Sequence, residues 1–314
     1  MSGFTVEILP VDITPFRKGN TGVDYVHRIA ASTPGPTVMV NALTHGNELC
    51  GAHALSLLFG CELRPRRGIL VLSFANVAAH QNFDPRNPTA SRYVDEDLNR
   101  LWAPEILDGP RNSVELSRAR ELRPLVASAD YLLDIHSMQS RSPALMLCGT
   151  QAKGKHLAGK VGVPAHVVAD AGHKAGPRMR DFGAFADPAS KRTALLVECG
   201  PHWQRQTVGV AIETTFRFLI ATGTITSADA GERMNGAVPP QQVIDVSGPV
   251  TIKRDSFRFV ADYQGLVVVA EAGTVIGYDG DEPVRTPYDN CVLIMPSKRL
   301  QKGQTAVRFG RIVA

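Results

Sequence analysis

Five short apolar runs, spaced through the first two-thirds of the chain, restrict the fold more than any other feature. They are Pro36–Leu43, Gly68–Ala75, Tyr131–Ile135, Ala144–Leu147 and Thr193–Val197. None alternates cleanly between apolar and polar residues. Each therefore reads as a strand buried on both faces, and a sheet of such strands needs helices above and below it. The intervening segments supply them over Glu48–Phe59, Ser113–Val126, His156–Val161 and Val208–Thr222. Ser113 suits an N-cap after the break at Gly109-Pro110, and Pro124 is expected to kink or end its helix near the last turn. Strand and helix in alternation predict an α/β core.

The pattern changes after about residue 223. Ser227–Pro240 is rich in Gly, Ala and Pro and reads as a linker. Beyond it come short β-like runs, Val250–Ile252, Phe257–Val260, Leu266–Ala270 and Val292–Met295, with no helical periodicity. The expected division is a catalytic domain over residues 1–226 and an all-β domain over residues 240–314. The 314 residues hold 34 Lys and Arg against 30 Asp and Glu, and no long basic block, so a nucleic-acid partner is not expected. No apolar run approaches the ~18 residues that span a bilayer, and no secretory signal is visible at the start. The five cysteines are odd in number and form no C-x-x-C, as in a reduced cytoplasmic protein.

Chemistry concentrates where the apolar runs end. His45-Gly-Asn-Glu48 follows the first run directly, so an imidazole in the turn and a carboxylate entering the helix can converge on one ion. The competing explanation is a helix-entry Glu favoured by the dipole. His136 follows the third run and offers a third ligand. Two imidazoles and a carboxylate, with one position left for water, form the donor set of a catalytic zinc site. Asp134 shares a strand face with His136 and suits either an orienting carboxylate or a structural one. Glu198 ends the fifth run, where a carboxylate is costly unless paired or raised in pKa. There it suits a general base for hydrolysis, or a salt bridge at the sheet margin. Arg92-Tyr-Val-Asp-Glu-Asp97-Leu-Asn99-Arg100 supplies two guanidiniums and an amide suited to a carboxylate, though such runs are usually solvated.

Taken in order, His-x-x-Glu, Arg-Tyr-x-x-x-Asp-Leu-Asn-Arg, Asp-x-His and Val-Glu-x-Gly-Pro resemble the succinylglutamate desuccinylase/aspartoacylase family, within the zinc-carboxypeptidase superfamily. The resemblance implies a zinc-carboxypeptidase-like mixed sheet flanked by helices, with a smaller C-terminal all-β domain. It implies one zinc ion held by His45, Glu48 and His136. Glu198 matches the general base that activates water and then protonates the leaving amine. Arg92 matches the arginine that polarises the scissile carbonyl, Asn99 and Arg100 the pair that holds a substrate carboxylate, and Asp97 the carboxylate that orients the first histidine. The implied reaction is hydrolysis of an N-acyl amino acid or similar small amide. A carboxypeptidase acting on short peptides and a non-catalytic small-ligand-binding relative are the rival readings. The family's further substrate-binding arginine is not reproduced at its usual spacing. Arg178 and Arg180, in the polar segment Asp170–Asp181, are instead expected to line the pocket. No membrane partner is expected, and association into a homo-oligomer is left open.

One motif stands outside this scheme. Gly149-Thr-Gln-Ala-Lys-Gly154-Lys155-His156 has the G-x-x-x-x-G-K spacing of a phosphate loop. His156 replaces the hydroxyl residue that would hold Mg²⁺, so a nucleotide site is not expected.

Overall fold

The computed structural model describes residues 5–173, 175–234 and 240–313. Fourteen strands form among them: β1 (Val26–Ala30), β2 (Thr37–Ala42), β3 (Ile69–Phe74), β4 (Tyr131–Met138), β5 (Leu145–Leu147), β6 (His166–Ala169), β7 (Thr193–Pro201), β8 (Gln242–Thr251), β9 (Arg258–Phe259), β10 (Val267–Val269), β11 (Val275–Asp279), β12 (Glu282–Arg285), β13 (Cys291–Ile294) and β14 (Thr305–Ile312). The helices are α1 (Leu49–Gly60), α2 (Val77–Gln81), α3 (Pro104–Leu107), α4 (Val114–Ser128), α5 (Ala152–Val161), α6 (Arg205–Ala221) and α7 (Ser227–Ala230).

All five apolar runs become strands. β3, β2, β4 and β7 lie side by side and parallel, with β1 antiparallel at one edge and β5 antiparallel on the other side. Because side chains alternate across a strand, each of these strands feeds two cores. Val38, Val40, Leu133, Ile135, Leu195 and Val197 meet α1 and α6 on one face. Met39, Val71, Leu132 and Ala194 meet α4 and the segment around Met179 and Phe182 on the other. Each such valine, leucine, isoleucine or methionine side chain, fully buried, contributes about 1.5–3 kcal/mol, which is why runs without polar alternation stay in the middle of the sheet. Gly51 lets α1 approach closely, since a Cβ there would stand 2.9 Å from that of Ala42.

The helix carrying Pro124 runs on to Ser128, so the proline lies just before the last turn, with Leu122 and Val126 on either side fully buried. One expectation needs correction. Part of the expected linker is ordered. Thr226 and Asp229 form a reciprocal capping box on α7, while residues 235–239 lie outside the described residues. The strands beyond residue 240 fall into two groups. β8, β14, β13 and β10 continue the large sheet, through a parallel pairing of β6 with β8 that sets His166 against Gln242. β12, β11 and β9 form a second, three-stranded antiparallel sheet. Among the described residues no helix follows residue 240.

Candidate active site

The register of the parallel strands brings the chemistry together. Ala42 on β2 lies beside Ile135 on β4, and His136 beside Glu198 on β7. Three adjacent strands thus deliver His45, His136 and Glu198 at their carboxyl ends, the usual place for a site in such sheets. The turn after β2 is tightly built. Leu43 is fully buried with φ 60°, a left-handed conformation that a leucine adopts only where its surroundings impose it. A Cβ on Gly46 would stand 2.4 Å from the backbone of Ala79 and His80, so only glycine passes between this turn and α2.

His45, Glu48 and His136 are buried, and one ligand atom from each lies within 4.8 Å of the others. Glu48 sits between the imidazoles, with Oε1 2.7 Å from His45 Nδ1 and Oε2 2.9 Å from His136 Nδ1. Each imidazole turns its other nitrogen to a second carboxylate. His45 Nε2 is 2.9 Å from Asp97, and His136 Nε2 is 2.7 Å from Asp134. Asp134 is itself fixed, accepting from Asn41 Nδ2 and Thr44 Oγ1 at 2.8 Å each. Burial opposes charge on His136, yet Asp134 and Glu48 outweigh it and hold its pKa well above the usual value. Burial likewise opposes charge on Glu48, but the two histidines hold its pKa well below the carboxylate range. The pocket is thus built to hold positive charge between three donors. His45, Glu48 and His136 would hold a cation there, and the second nitrogen of each imidazole would then donate to the carboxylate it already faces, as metal-ligating histidines do. The residues fit a zinc ion.

Glu198 has the opposite environment. Its Oε2 is buried with no hydrogen-bond partner among the described residues. Burial, then the charge of Glu48, pushes its pKa up to about 8, with His136, Arg92 and Arg178 opposing. Arg92 reaches Glu48 at 3.4 Å and Asp97 at 3.1 Å. Its Nη2 also lies 2.8 Å from His45 Nε2, a contact that competes with Asp97 for that nitrogen. Asn99 is buried beside the cluster, with Nδ2 3.5 Å from His136 Nε2 and Oδ1 accepting from the Met179 amide at 2.9 Å. Arg100 donates to the Asn99 carbonyl at 2.8 Å and makes no ion pair among the described residues. Burial lowers its pKa; Asp97 opposes this, while Arg92, Arg178 and Arg308 add to it.

The segment Asp170–Asp181 divides its two arginines. Arg178 reaches Asp170 at 3.2 Å and Asp181 at 3.0 Å, and its charge is felt at Glu198. Arg180 pairs with Asp181 and lines a separate cavity. Lys174 lies outside the described residues.

Three further residues join the site without a sequence motif to announce them. His202 is buried, with Nδ1 2.7 Å from Ser137 Oγ. Burial foremost pushes its pKa down to about 4; Arg92, His45 and His136 lower it further and Glu48 opposes. Its place just after Glu198 is the only signal for it. Arg308 on β14 reaches Asp170 at 3.7 Å, and nothing in its strand sets it apart. Glu115, at the start of α4, accepts from the backbone amides of Val94, Asp95 and Glu96 and from Asn76 Nδ2, at 2.6–3.2 Å. It holds the loop that carries Arg92 and Asp97.

Several known proteins are similar to this chain. The succinylglutamate desuccinylase from Burkholderia orbicola is 26% identical over 292 residues, covering 86% of this chain and 79% of that protein. An N-acyl-aromatic-L-amino acid amidohydrolase from Xenopus laevis is 30% identical over 125 residues, covering 37% of this chain and 39% of its own. Among solved structures, the succinylglutamate desuccinylase of Vibrio parahaemolyticus superposes with a TM-score of 0.67 at 17% identity, covering 93% of this chain and 87% of that one, and so shares the fold. The family described as "Succinylglutamate desuccinylase/Aspartoacylase catalytic domain" matches residues 34–221, a span that opens just before β2 and closes with α6. That span holds every strand end from which the buried His-Glu-His cluster and Glu198 arise, and this chain belongs to the succinylglutamate desuccinylase/aspartoacylase family.

Proposed function

We propose that the chain is a zinc-dependent deacylase that hydrolyses the amide bond of an N-acyl amino acid or similar small amide. The observation that carries this reading is the cluster of His45, Glu48 and His136, whose imidazoles each have the nitrogen remote from Glu48 on a second carboxylate. Zinc held there supplies Lewis acidity and lowers the pKa of water toward ~7. Every other requirement falls to side chains of the chain.

Glu198 takes a proton from the attacking water and returns it to the leaving amine. Its unpartnered Oε2 and raised pKa suit a group that accepts and releases a proton near neutrality. Arg92, beside Glu48 and His45, faces the negative charge that develops on the scissile carbonyl, a stabilisation worth roughly 3 kcal/mol per donor. Asn99 and Arg100 hold a substrate carboxylate. Arg100 suits this because no acidic side chain among the described residues already pairs with it, while Arg178 adds positive charge close by. Asp97 orients His45.

The test is a panel of N-acyl amino acids and short peptides of increasing length, assayed on zinc-loaded protein with Glu198→Ala as the control. Turnover of N-acyl amino acids that stops on chelation and returns with zinc is the expected result. Preference for the longer peptides would make the enzyme a carboxypeptidase. Full activity after chelation would overturn the metal assignment.

A further inference from the structure

The chemistry assigned above gives His202 and Trp203 no task, yet both are built firmly into the strand ends that carry it. β4 outruns its neighbour: Ala42 pairs with Ile135, and β2 then stops. Ser137, just beyond, therefore has no β2 residue beside it. Its amide donates instead to Glu48 Oε2 at 3.1 Å. On the other side β7 bulges, with Glu198 opposite His136 but Pro201 opposite Met138, one residue more than β4 uses. Gly200 lies in this bulge with φ 109°, a conformation that favours glycine. The bulge brings His202 back against β4. There its amide donates to the Met138 carbonyl at 2.6 Å, and its Nδ1 lies 2.7 Å from Ser137 Oγ.

Ser137 is the donor in that last bond. It is buried, and its Oγ meets no other partner among the described residues, so the hydroxyl proton goes to Nδ1. His202 thus pins the side chain of the residue whose amide holds Glu48. Trp203 acts on the same glutamate from its backbone. Its φ of 63° is left-handed, a costly conformation for a tryptophan unless its surroundings impose it. Its indole Nε1 donates to the Asn47 carbonyl at 2.9 Å, and its ring is buried with Leu49. The residues on both sides of Glu48 are therefore tied to Trp203. Glu48 itself stands at the N-cap of α1 with φ −96° and ψ 76°, outside helical geometry, and its side chain caps no amide of that helix. Its position is set by these contacts and not by regular structure.

We infer, on the zinc reading proposed above, that His202 and Trp203 are positioning residues for Glu48 as a metal ligand. His202 holds the carboxylate through Ser137, and Trp203 holds the backbone through Asn47 and Leu49. Each acts through these neighbours rather than as a donor to the ion. Losing an outer-shell partner typically costs about tenfold to a hundredfold in metal affinity. Metal affinity, and not folding alone, therefore reports on both residues.

Competition for zinc between the full-length chain and a chromophoric chelator tests this, with thermal unfolding of the metal-free protein recorded beside it. His202→Leu removes the acceptor for Ser137, and Trp203→Phe keeps a ring but removes the indole donor. Each is expected to weaken zinc by about tenfold or more. His202→Asn puts an amide oxygen near the place of Nδ1 and recovers most of that loss, a rescue that packing alone would not give. Ser137→Ala cuts the same link with a smaller change and decides if His202→Leu does not fold. Folded variants that lower the unfolding temperature yet bind zinc like the parent would overturn the inference, as would His202→Asn binding no better than His202→Leu. A parent that binds no zinc would overturn the zinc assignment itself, and this inference with it.

Discussion

At the scale of single residues, two buried groups are pushed in directions that pH can read. The Glu198 carboxyl lies near 8, through burial and the charge of Glu48. A divalent cation at His45, Glu48 and His136 favours the carboxylate and moves this value down. In the loaded enzyme kcat/KM therefore rises with pH along an acid limb whose apparent pKa lies below 8. Glu198→Gln flattens that limb and lowers kcat by about 10²–10⁴, which initial rates between pH 5 and 9 will show. His202 is displaced oppositely, to about 4. Between its unfolded value near 6.5 and this folded value, the unfolded chain binds more protons. The stability tied to neutral His202 is complete above pH ~6.5 and is lost as pH falls through 4, a change of about 3 kcal/mol. Urea unfolding at pH 7, 6, 5 and 4.5 should show a shallower pH dependence in His202→Gln than in the parent. The His45, Glu48 and His136 cluster could be read in the sequence because each member sits at a strand end or helix entry, where position carries the chemistry. The charge state of His202 could not, because what sets it is burial against Ser137 and the cationic groups around it, which only the folded chain creates.

Elements position these residues, and α4 does so through Glu115. In sequence it reads as an acidic residue in a first helical turn, one of many. In the fold it is fully buried and accepts from three consecutive loop amides and from Asn76. Its role was not legible because its partners sit about twenty residues away in a loop with no regular structure. Glu115→Ala leaves these donors buried and unpaired. We expect a loss of about 3 kcal/mol in stability by chemical denaturation, and a fall in kcat/KM at temperatures where the variant is still folded, because Arg92 and Asp97 lose their anchor. A stability loss with unchanged kcat/KM would mean that the loop holds itself. The central strands were legible because double-sided burial writes an unbroken apolar run. β1 and β6 were not: β1 is an edge strand of mixed residues that buries only Val26 fully, and β6 has four residues, too few for a period to show.

For the molecule as a whole, the consequential feature is that one sheet runs from the His-Glu-His cluster into the C-terminal strands. β8 pairs with β6 and β14 with β8, and β14 carries Arg308 toward Asp170 at the end of β6. Asp170 is also the carboxylate that accepts from Arg178, so the C-terminal strands act on the electrostatics around Arg178 and Arg100. With Arg308 present, the charge of Asp170 is shared between two guanidiniums, and the field of Arg178 remains to draw an anionic substrate. Without it, Asp170 is met by Arg178 alone, and the potential around Arg100 becomes less positive. At an effective dielectric of ~20, removing a unit charge from within a Debye length is worth on the order of 1–2 kcal/mol before screening. Arg308→Ala should therefore raise KM for a carboxylate-bearing N-acyl amino acid by roughly tenfold, with kcat changed little, because the residue touches neither the metal ligands nor Glu198. The same variant should narrow the salt dependence of kcat/KM, since less of the attraction is left to screen. An Arg308→Ala enzyme with parental KM and parental salt dependence would show that β14 serves the sheet and not the site.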